Sequence, residues 1–244
     1  LCEPALRLGG NLYDGTSRLT NGKGASLNHF SSTSCFAEYT VVPKQSAIKL
    51  DPDVPLDVVA LIGCCVTTGA GAVFNTAKVP PGSSVAVFGC GGVGLSIVQG
   101  AAISGAQPII ALDLWQERLD LAMELGATHT INASTEDGTR VIRELTGGKG
   151  VDFAFEAIGN PDTFSQAYRS IHLGGICVCV GVPAADAKLT FDSRLIMQER
   201  TIKGSLYGSS NPRVDFLNLV GLYSAGKLKL DQMVTGRFPL GRIN

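Results

Sequence analysis

From residue 80 onward the chain alternates short apolar runs with longer amphipathic ones. The apolar runs fall at 84–88, 108–113, 128–132, 151–156, 175–181 and 201–206. Their length and continuous apolar character suit strands buried on both faces. Between them, 93–104, 116–126, 135–145 and 162–172 read as helices. In the second of these, Leu119, Ala122 and Met123 recur at i, i+3 and i+4 before Gly126 ends the run. A last helix is expected at about 214–225, closed by Gly226. Strands that alternate with helices in this way predict an α/β fold with a doubly wound parallel sheet.

The first 66 residues have a different texture, irregular and strand-rich. Asn21-Gly22-Lys23-Gly24 is a hairpin signal. The alternation from Cys35 to Val42 predicts a strand ahead of Pro43, and Ser46–Leu50 predicts another, ended by Asp51-Pro52. The expected division is therefore a small β-rich part at 1–66, a nucleotide-binding α/β domain at 67–210, and a helix with a return segment at 211–244.

Composition narrows the function classes. The 244 residues carry 20 basic and 21 acidic side chains, a net charge of −1, with no Lys/Arg run. That balance gives no footprint for nucleic acid. No stretch reaches about 18 consecutive apolar residues, so no membrane partner is expected. Seven cysteines stand at 2, 35, 64, 65, 90, 177 and 179. Cys90, Cys177 and Cys179 lie in apolar runs, where a reduced thiol serves as a small hydrophobe. This is the usage of a reducing compartment, and a cytoplasmic location is expected. The chain opens on Leu1-Cys2-Glu3-Pro4 and stops at Gly241-Arg242-Ile243-Asn244. It reads as a fragment.

The sharpest chemical signal is Val85-Ala-Val-Phe-Gly89-Cys90-Gly91-Gly92-Val93-Gly94, which reads strand, tight turn, helix. Gly89 allows the turn, Gly91 lets backbone approach a pyrophosphate, and Gly94 lets helix and strand pack closely. A helix opening at Gly92 and Val93 offers free N–H groups and a partial positive charge to that pyrophosphate. Asp113 ends the next apolar run, 19 residues beyond Gly94. A carboxylate there accepts ribose hydroxyls and repels a 2′-phosphate, which favours NAD over NADP. Arg118, one helical turn on, can brace the same ribose, partner a phosphate, or stand as an exposed helix cation. Trp115 borders the adenine slot or is an ordinary aromatic at a helix start.

Leu61-Ile62-Gly63-Cys64-Cys65-Val66-Thr67-Thr68-Gly69 sits just ahead of this nucleotide fold. A thiolate at Cys64 can ligate zinc near the nicotinamide end of the cofactor, but adjacent cysteines are not a chelate and a buried thiol is commonly inert. Spacing alone leaves both readings open. His29, His129 and His172 stand without Glu or Cys at metal spacing, and Glu38 and Glu156 read as structural carboxylates.

The chain resembles the zinc-dependent medium-chain alcohol dehydrogenases, including the branch of the class III enzymes and their bacterial relatives. The likeness runs from Cys2 to Asn244. It rests on Asp14-Gly15-Thr16-Ser17-Arg18, Phe36–Val42, Leu61–Cys64 with Thr67-Thr68-Gly69, Val87–Gly94, Val151–Gly159, Val180-Gly-Val-Pro183 and Ile202-Lys-Gly204, in the family's order. The resemblance implies a Rossmann domain beside part of a GroES-like catalytic domain. It implies NAD and Zn2+ as cofactors, an alcohol or aldehyde as substrate, and a homodimer or homotetramer. It makes Cys64 the third protein ligand of a catalytic zinc and Cys2 the last cysteine of a structural zinc lobe. Thr68 then lies beside the nicotinamide, and Ile158, Val180 and Val182 contact the nicotinamide half of the cofactor, although each also fits as sheet core.

Three departures from the family pattern accompany it. The other zinc ligands and any proton relay would lie before Leu1, and a further segment would follow Asn244, so the fragment alone is expected to be inactive. Cys65 stands where the family has a small glycine and can compete as a ligand. Cys90 replaces a leucine-like residue in the glycine loop. Two rivals are a zinc-free NAD(P)H-dependent reductase of the same superfamily, and a non-catalytic NAD-binding protein.

Overall fold

The computed structural model describes residues 10–12, 14–29, 33–42 and 44–243. The chain divides into two compact units, one of Leu1–Asp53 with Val234–Asn244 and the other of Val54–Met233.

In the first unit the hairpin forms as the sequence indicates. Strand β1 (Leu19–Thr20) pairs antiparallel with β2 (Ser26–Leu27). Asn21 closes the turn, its Oδ1 accepting from the N–H groups of Lys23 at 2.9 Å and Ala25 at 3.0 Å. The two further strands expected here do not form. Residues 35–42 carry no ladder, and Lys44–Ser46 is a single 3-10 turn. Alternation supplies only half of what a strand needs. The other half is a paired neighbour and a face to bury, and here Phe36 is 82% and Tyr39 91% exposed.

The second unit holds a six-stranded sheet, with helices α1 (Leu56–Val59) and α2 (Cys65–Gly71) ahead of it. Then come β3 (Val85–Phe88), α3 (Gly92–Ile103), β4 (Ile109–Asp113), α4 (Gln116–Glu124), β5 (His129–Asn132) and α5 (Gly138–Leu145). The chain continues through β6 (Val151–Glu156), α6 (Pro161–Ser170), β7 (Ile171–Cys179), α7 (Ser193–Ile196), β8 (Thr201–Gly204) and α8 (Pro212–Ser224). The strand order is β5-β4-β3-β6-β7-β8, all parallel. The chain thus winds outward from β3 in one direction, returns to β6, and winds outward in the other. The reversal opens a crevice at the carboxyl ends of β3 and β6, where ligands of such sheets bind.

Side chains alternate across β3 and feed two cores. Val85 and Val87 join Leu95, Ile97, Val98 and Ala101 of α3 on one face. Ala86 and Phe88 join Ile142 of α5 with Phe164 and Ala167 of α6 on the other. Every residue of β3 and β4 is buried, which is why those runs show no polar alternation.

Capping sets where two of the helices begin. Asn160 accepts from the N–H of Asp162 at 2.8 Å, with Pro161 in the first turn, and α6 starts there. Helix α5 starts at Gly138 rather than Thr135 because Asp137 accepts from the N–H of Arg140 at 3.1 Å, while Asn132 holds Ser134 in a preceding turn. The helix expected to run to His172 stops at Ser170. Ile171 is already extended and registers with Val151, then β7 bulges before Ile176 pairs with Phe153.

At the amino ends of the strands, Asp152 ties β6 to both neighbours. Its Oδ2 accepts from the Ser84 N–H at 2.7 Å and the Ser84 hydroxyl at 2.5 Å, and its Oδ1 lies 2.8 Å from Nε2 of His172. Burial raises the Asp152 pKa, but the two Ser84 hydrogen bonds and then His172 outweigh it, and the carboxyl sits below its ordinary value of 3.8. The folded state therefore binds this proton less readily than the unfolded chain. The resulting stability is complete above the unfolded pKa and is lost as pH falls through the folded one. The expected result is that urea midpoints of wild type and Asp152→Asn differ at neutral pH and converge as pH falls below about 4, through the folded pKa. A gap that stays constant over that range would exclude this linkage.

Candidate functional site

The crevice at the switch point is a cleft of about 380 Å3, with Gly89, Gly91, Asp113, Trp115, Arg118 and Ile158 among its lining residues. Its floor is the turn from β3 into α3. Gly89 adopts φ +95°, a left-handed conformation that glycine takes without strain. A Cβ on Gly94 would lie 1.7 Å from the Gly89 carbonyl oxygen, so strand and helix meet backbone to backbone. Gly91 has nothing within 4 Å of its Cβ position. The protein leaves that space open, and its backbone faces the cleft bare. The intervening Cys90 turns inward, 1% exposed, with its thiol toward the Leu112 carbonyl at 3.5 Å. Burial, and then Asp113, push this thiol up to about 12, so it is inert at neutral pH. The first N–H groups of α3, from Gly92 onward, have no intrahelical acceptor and point at the loop.

Asp113 fixes this loop as well as lining the cleft. Its Oδ2 accepts from the Cys90 N–H at 2.7 Å, and Oδ1 accepts from the N–H groups of Leu114 at 2.8 Å and Trp115 at 3.1 Å. Of the roughly four acceptor positions on a carboxylate, three are taken by backbone. The carboxylate is held rigid beneath Trp115. The Arg118 guanidinium lies 3.6 Å from Oδ2 and is half exposed, a weak pair that leaves its donors free.

The opposite wall comes from the loop between β6 and α6. Glu156, 2% exposed, turns its carboxylate into that loop. Oε1 accepts from the Ile158 N–H at 3.0 Å, the Gly159 N–H at 2.9 Å and the Thr163 hydroxyl at 2.8 Å. Its backbone carbonyl accepts from Val180 and Gly181, both at 2.9 Å. Gly159 and Gly181 are in close contact: a Cβ on Gly181 would lie 2.1 Å from the Gly159 nitrogen. The two loops therefore form one packed wall.

Cys64 stands at the entrance to α2, exposed, with its carbonyl accepting from the Thr68 N–H at 2.9 Å. Thr68 thus lies one turn along the same helix face. Cys65 is half-buried in the first turn, its thiol toward the Leu61 carbonyl at 3.5 Å and its Sγ 3.4 Å from the Cβ position of Gly92. The start of α2 therefore adjoins the start of α3. Burial, and then Cys64, push the Cys65 thiol up. Tyr207 holds this region from outside, donating its hydroxyl to the Gly63 carbonyl at 2.7 Å.

The structure brings Gly89, Gly91, Asp113, Arg118 and Ile158 to one cleft. Gly92, Val93 and Gly94 form the first turn of α3 behind it. Val180 is buried at the end of β7, while Val182 is exposed beside Gly159, and neither lines the cleft. Cys2 lies outside the described residues. Among the described residues, no three His, Cys, Asp or Glu side chains converge as a metal site, and no single helix is long and apolar enough to cross a membrane. A larger hollow of about 620 Å3 lies at the amino ends of the strands, where Ser84, Asp152 and His172 satisfy one another. Sequence reasoning did not single out Thr163 or Tyr207. Their partners are a carboxylate seven residues away and a backbone carbonyl 144 away, which no local spacing reveals.

Comparison with known proteins adds identity to this geometry. A family model described as zinc-binding dehydrogenase matches residues 92–224. Alcohol dehydrogenase 1 of Pisum sativum is 42% identical over 236 residues, which is 96% of this chain and 62% of that protein. An alcohol dehydrogenase zinc-binding domain protein from Burkholderia ambifaria superposes with a TM-score of 0.90 at 41% identity, over 96% of this chain and 64% of the other. Benzyl alcohol dehydrogenase from Acinetobacter calcoaceticus gives 0.82 at 38% identity, over 87% and 60%. The chain thus spans under two thirds of the length of these relatives.

Proposed function

Because the chain belongs to the zinc-binding dehydrogenase family, we propose that the full-length protein is an alcohol dehydrogenase. It would transfer a hydride between a primary or secondary alcohol, or the corresponding aldehyde or ketone, and NAD. The observation that carries the cofactor assignment is the bare Gly91 cradle in the same cleft as a rigid Asp113. The space that a side chain would fill at Gly91 admits a pyrophosphate, and the free N–H groups of α3 bind it. Asp113 accepts a ribose hydroxyl on its remaining lone pair and repels a 2′-phosphate. Ile158 and the wall behind it shield the nicotinamide half from water.

When bound, NAD carries the hydride and zinc polarises the substrate oxygen. Cys64 fits as one thiolate ligand, being exposed at the start of α2, where the next residue, Cys65, adjoins the first turn of α3. With no ligand triad among the described residues, the rest of that set belongs elsewhere in the full-length protein. We extend the proposal to a homo-oligomer, since β8 ends the sheet and no other strand among the described residues pairs with its outer edge.

Initial rates on the full-length protein test this reading. Alcohol oxidation with NAD is expected to exceed that with NADP by about a hundredfold in kcat/KM, and Asp113→Ser is expected to narrow the gap to about tenfold. Preference for NADP, or enone reduction without alcohol oxidation, would replace it with the zinc-free reductase reading.

A further inference from the structure

Between β8 and α8 the chain makes a turn to which the proposed chemistry gives no task. Tyr207, Gly208 and Ser209 all take left-handed backbone, at φ +53°, +64° and +49°. Glycine adopts that conformation freely, whereas tyrosine and serine do so only where surrounding contacts hold them. Here the contacts come from α2 and its two ends. A Cβ on Gly208 would lie 2.2 Å from the Thr67 carbonyl oxygen, so turn and helix meet backbone to backbone. Beyond the end of α2, Asn75 Nδ2 donates to the Gly208 carbonyl at 3.2 Å, and the Thr76 and Ser209 hydroxyls lie 2.8 Å apart. At the entrance to α2, the Tyr207 hydroxyl donates to the Gly63 carbonyl at 2.7 Å. That carbonyl belongs to the peptide that joins Gly63 to Cys64.

We propose that Tyr207 is a positioning residue for Cys64: its hydroxyl fixes the Gly63–Cys64 peptide from outside α2 and so sets the direction in which the Cys64 thiol leaves the backbone. The inference rests on the reading of Cys64 as a zinc ligand. Cys64 is the joint between the 3-10 turn Ala60–Gly63 and α2, and its angles, φ −143° and ψ −79°, belong to neither. The peptide after it is held, because the Cys64 carbonyl accepts from the Thr68 N–H at 2.9 Å. The peptide before it is held weakly from within, since the Cys64 N–H meets the Leu61 carbonyl only at 3.4 Å. Tyr207 supplies the stronger bond on that side. A thiolate that shares a tetrahedral set must meet the metal at one distance and angle, and groups that orient a ligand from outside change metal affinity tenfold or more.

Tyr207→Phe in the full-length protein keeps the ring and removes only the hydroxyl donor. Two readouts are taken, with Cys64→Ser as the reference. The first is zinc affinity, by competition with a chromogenic chelator. The second is the thiolate-to-cobalt charge-transfer band of protein loaded with Co2+; the part of it that Cys64→Ser abolishes belongs to Cys64. Tyr207→Phe is expected to weaken zinc about tenfold at the site that Cys64→Ser empties, and to shift or weaken that part of the band. The melting temperature of the metal-free protein is expected to stay within about 2 °C of wild type.

Zinc affinity and a cobalt band equal to wild type in Tyr207→Phe would overturn the inference. So would an unchanged band with a metal-free melting temperature several degrees lower, which marks a bond that serves folding alone. Zinc content and a cobalt band that survive Cys64→Ser intact would overturn the zinc-ligand reading itself, and this inference with it.

Discussion

Gly94→Ala is expected to abolish NADH binding by the full-length protein and to lower its melting temperature by several degrees. The Cβ of alanine would lie 1.7 Å from the Gly89 carbonyl oxygen and 2.8 Å from the Gly89 carbonyl carbon. Ordinary non-bonded contact is about 3.5 Å, so strand and helix would need to separate by more than 1 Å. Neither neighbour is a side chain that can rotate away. Helix α3 is also pinned from behind: a Cβ on Gly69 would lie 2.3 Å from the Val93 carbonyl, and one on Gly100 would lie 3.2 Å from the Ala70 backbone. Moving α3 off β3 therefore drives it into α2. Overpacking of this kind costs about 1–3 kcal/mol or more, and here the strain falls on the ligand-binding turn.

Gly91→Ala separates the two effects. Nothing lies within 4 Å of its Cβ position and its φ is −73°, so the fold accepts alanine and the melting temperature stays put. The methyl group occupies the space proposed for the pyrophosphate, and NADH affinity falls at least about tenfold. Full NADH affinity in Gly91→Ala would show that the cradle is not the phosphate site. Full affinity in Gly94→Ala would show that the backbone contact is not required.

Cys64→Ser in the full-length protein is expected to lose bound zinc and at least about a thousandfold in turnover. The serine hydroxyl matches the thiol in shape but is not deprotonated at neutral pH and is a poor ligand. The exposed position of Cys64 and its bond to the Thr68 N–H through the backbone mean that the substitution leaves α2 intact. Cys65→Ala is the comparison. Its thiol faces the Leu61 carbonyl inside the first turn of α2, and its loss should leave zinc content unchanged. Metal analysis of both purified variants decides the matter. Loss of zinc in Cys65→Ala with retention in Cys64→Ser would exchange the two roles.

The sheet could be read from the chain because burial on both faces writes itself as continuous apolar runs. Val85–Phe88 and Ile109–Asp113 are the clearest cases, and their order with the helices gave the winding. Helix ends were legible where a side chain makes the cap, as at Asn160, and were misjudged where two candidate caps compete, as at Thr135 and Asp137. The strands expected at 35–42 and 46–50 failed because their alternation says nothing about a partner. Of the site, glycine spacing and Asp113 were visible. The work of Glu156 was not, because most of its partners are backbone N–H groups that every sequence possesses.

The irregular pairing between β6 and β7 has a mechanical consequence. Val151 pairs with Ile171, yet two residues later Phe153 pairs with Ile176, so β7 carries three extra residues at its amino end. From there the ladder runs without interruption to Glu156 and Cys179. The slack is taken up at the edge farthest from the cleft. A residue added at Leu173–Gly174, which is exposed between the pinned His172 and the buried Gly175, falls at that end of the sheet and away from the ligand edge.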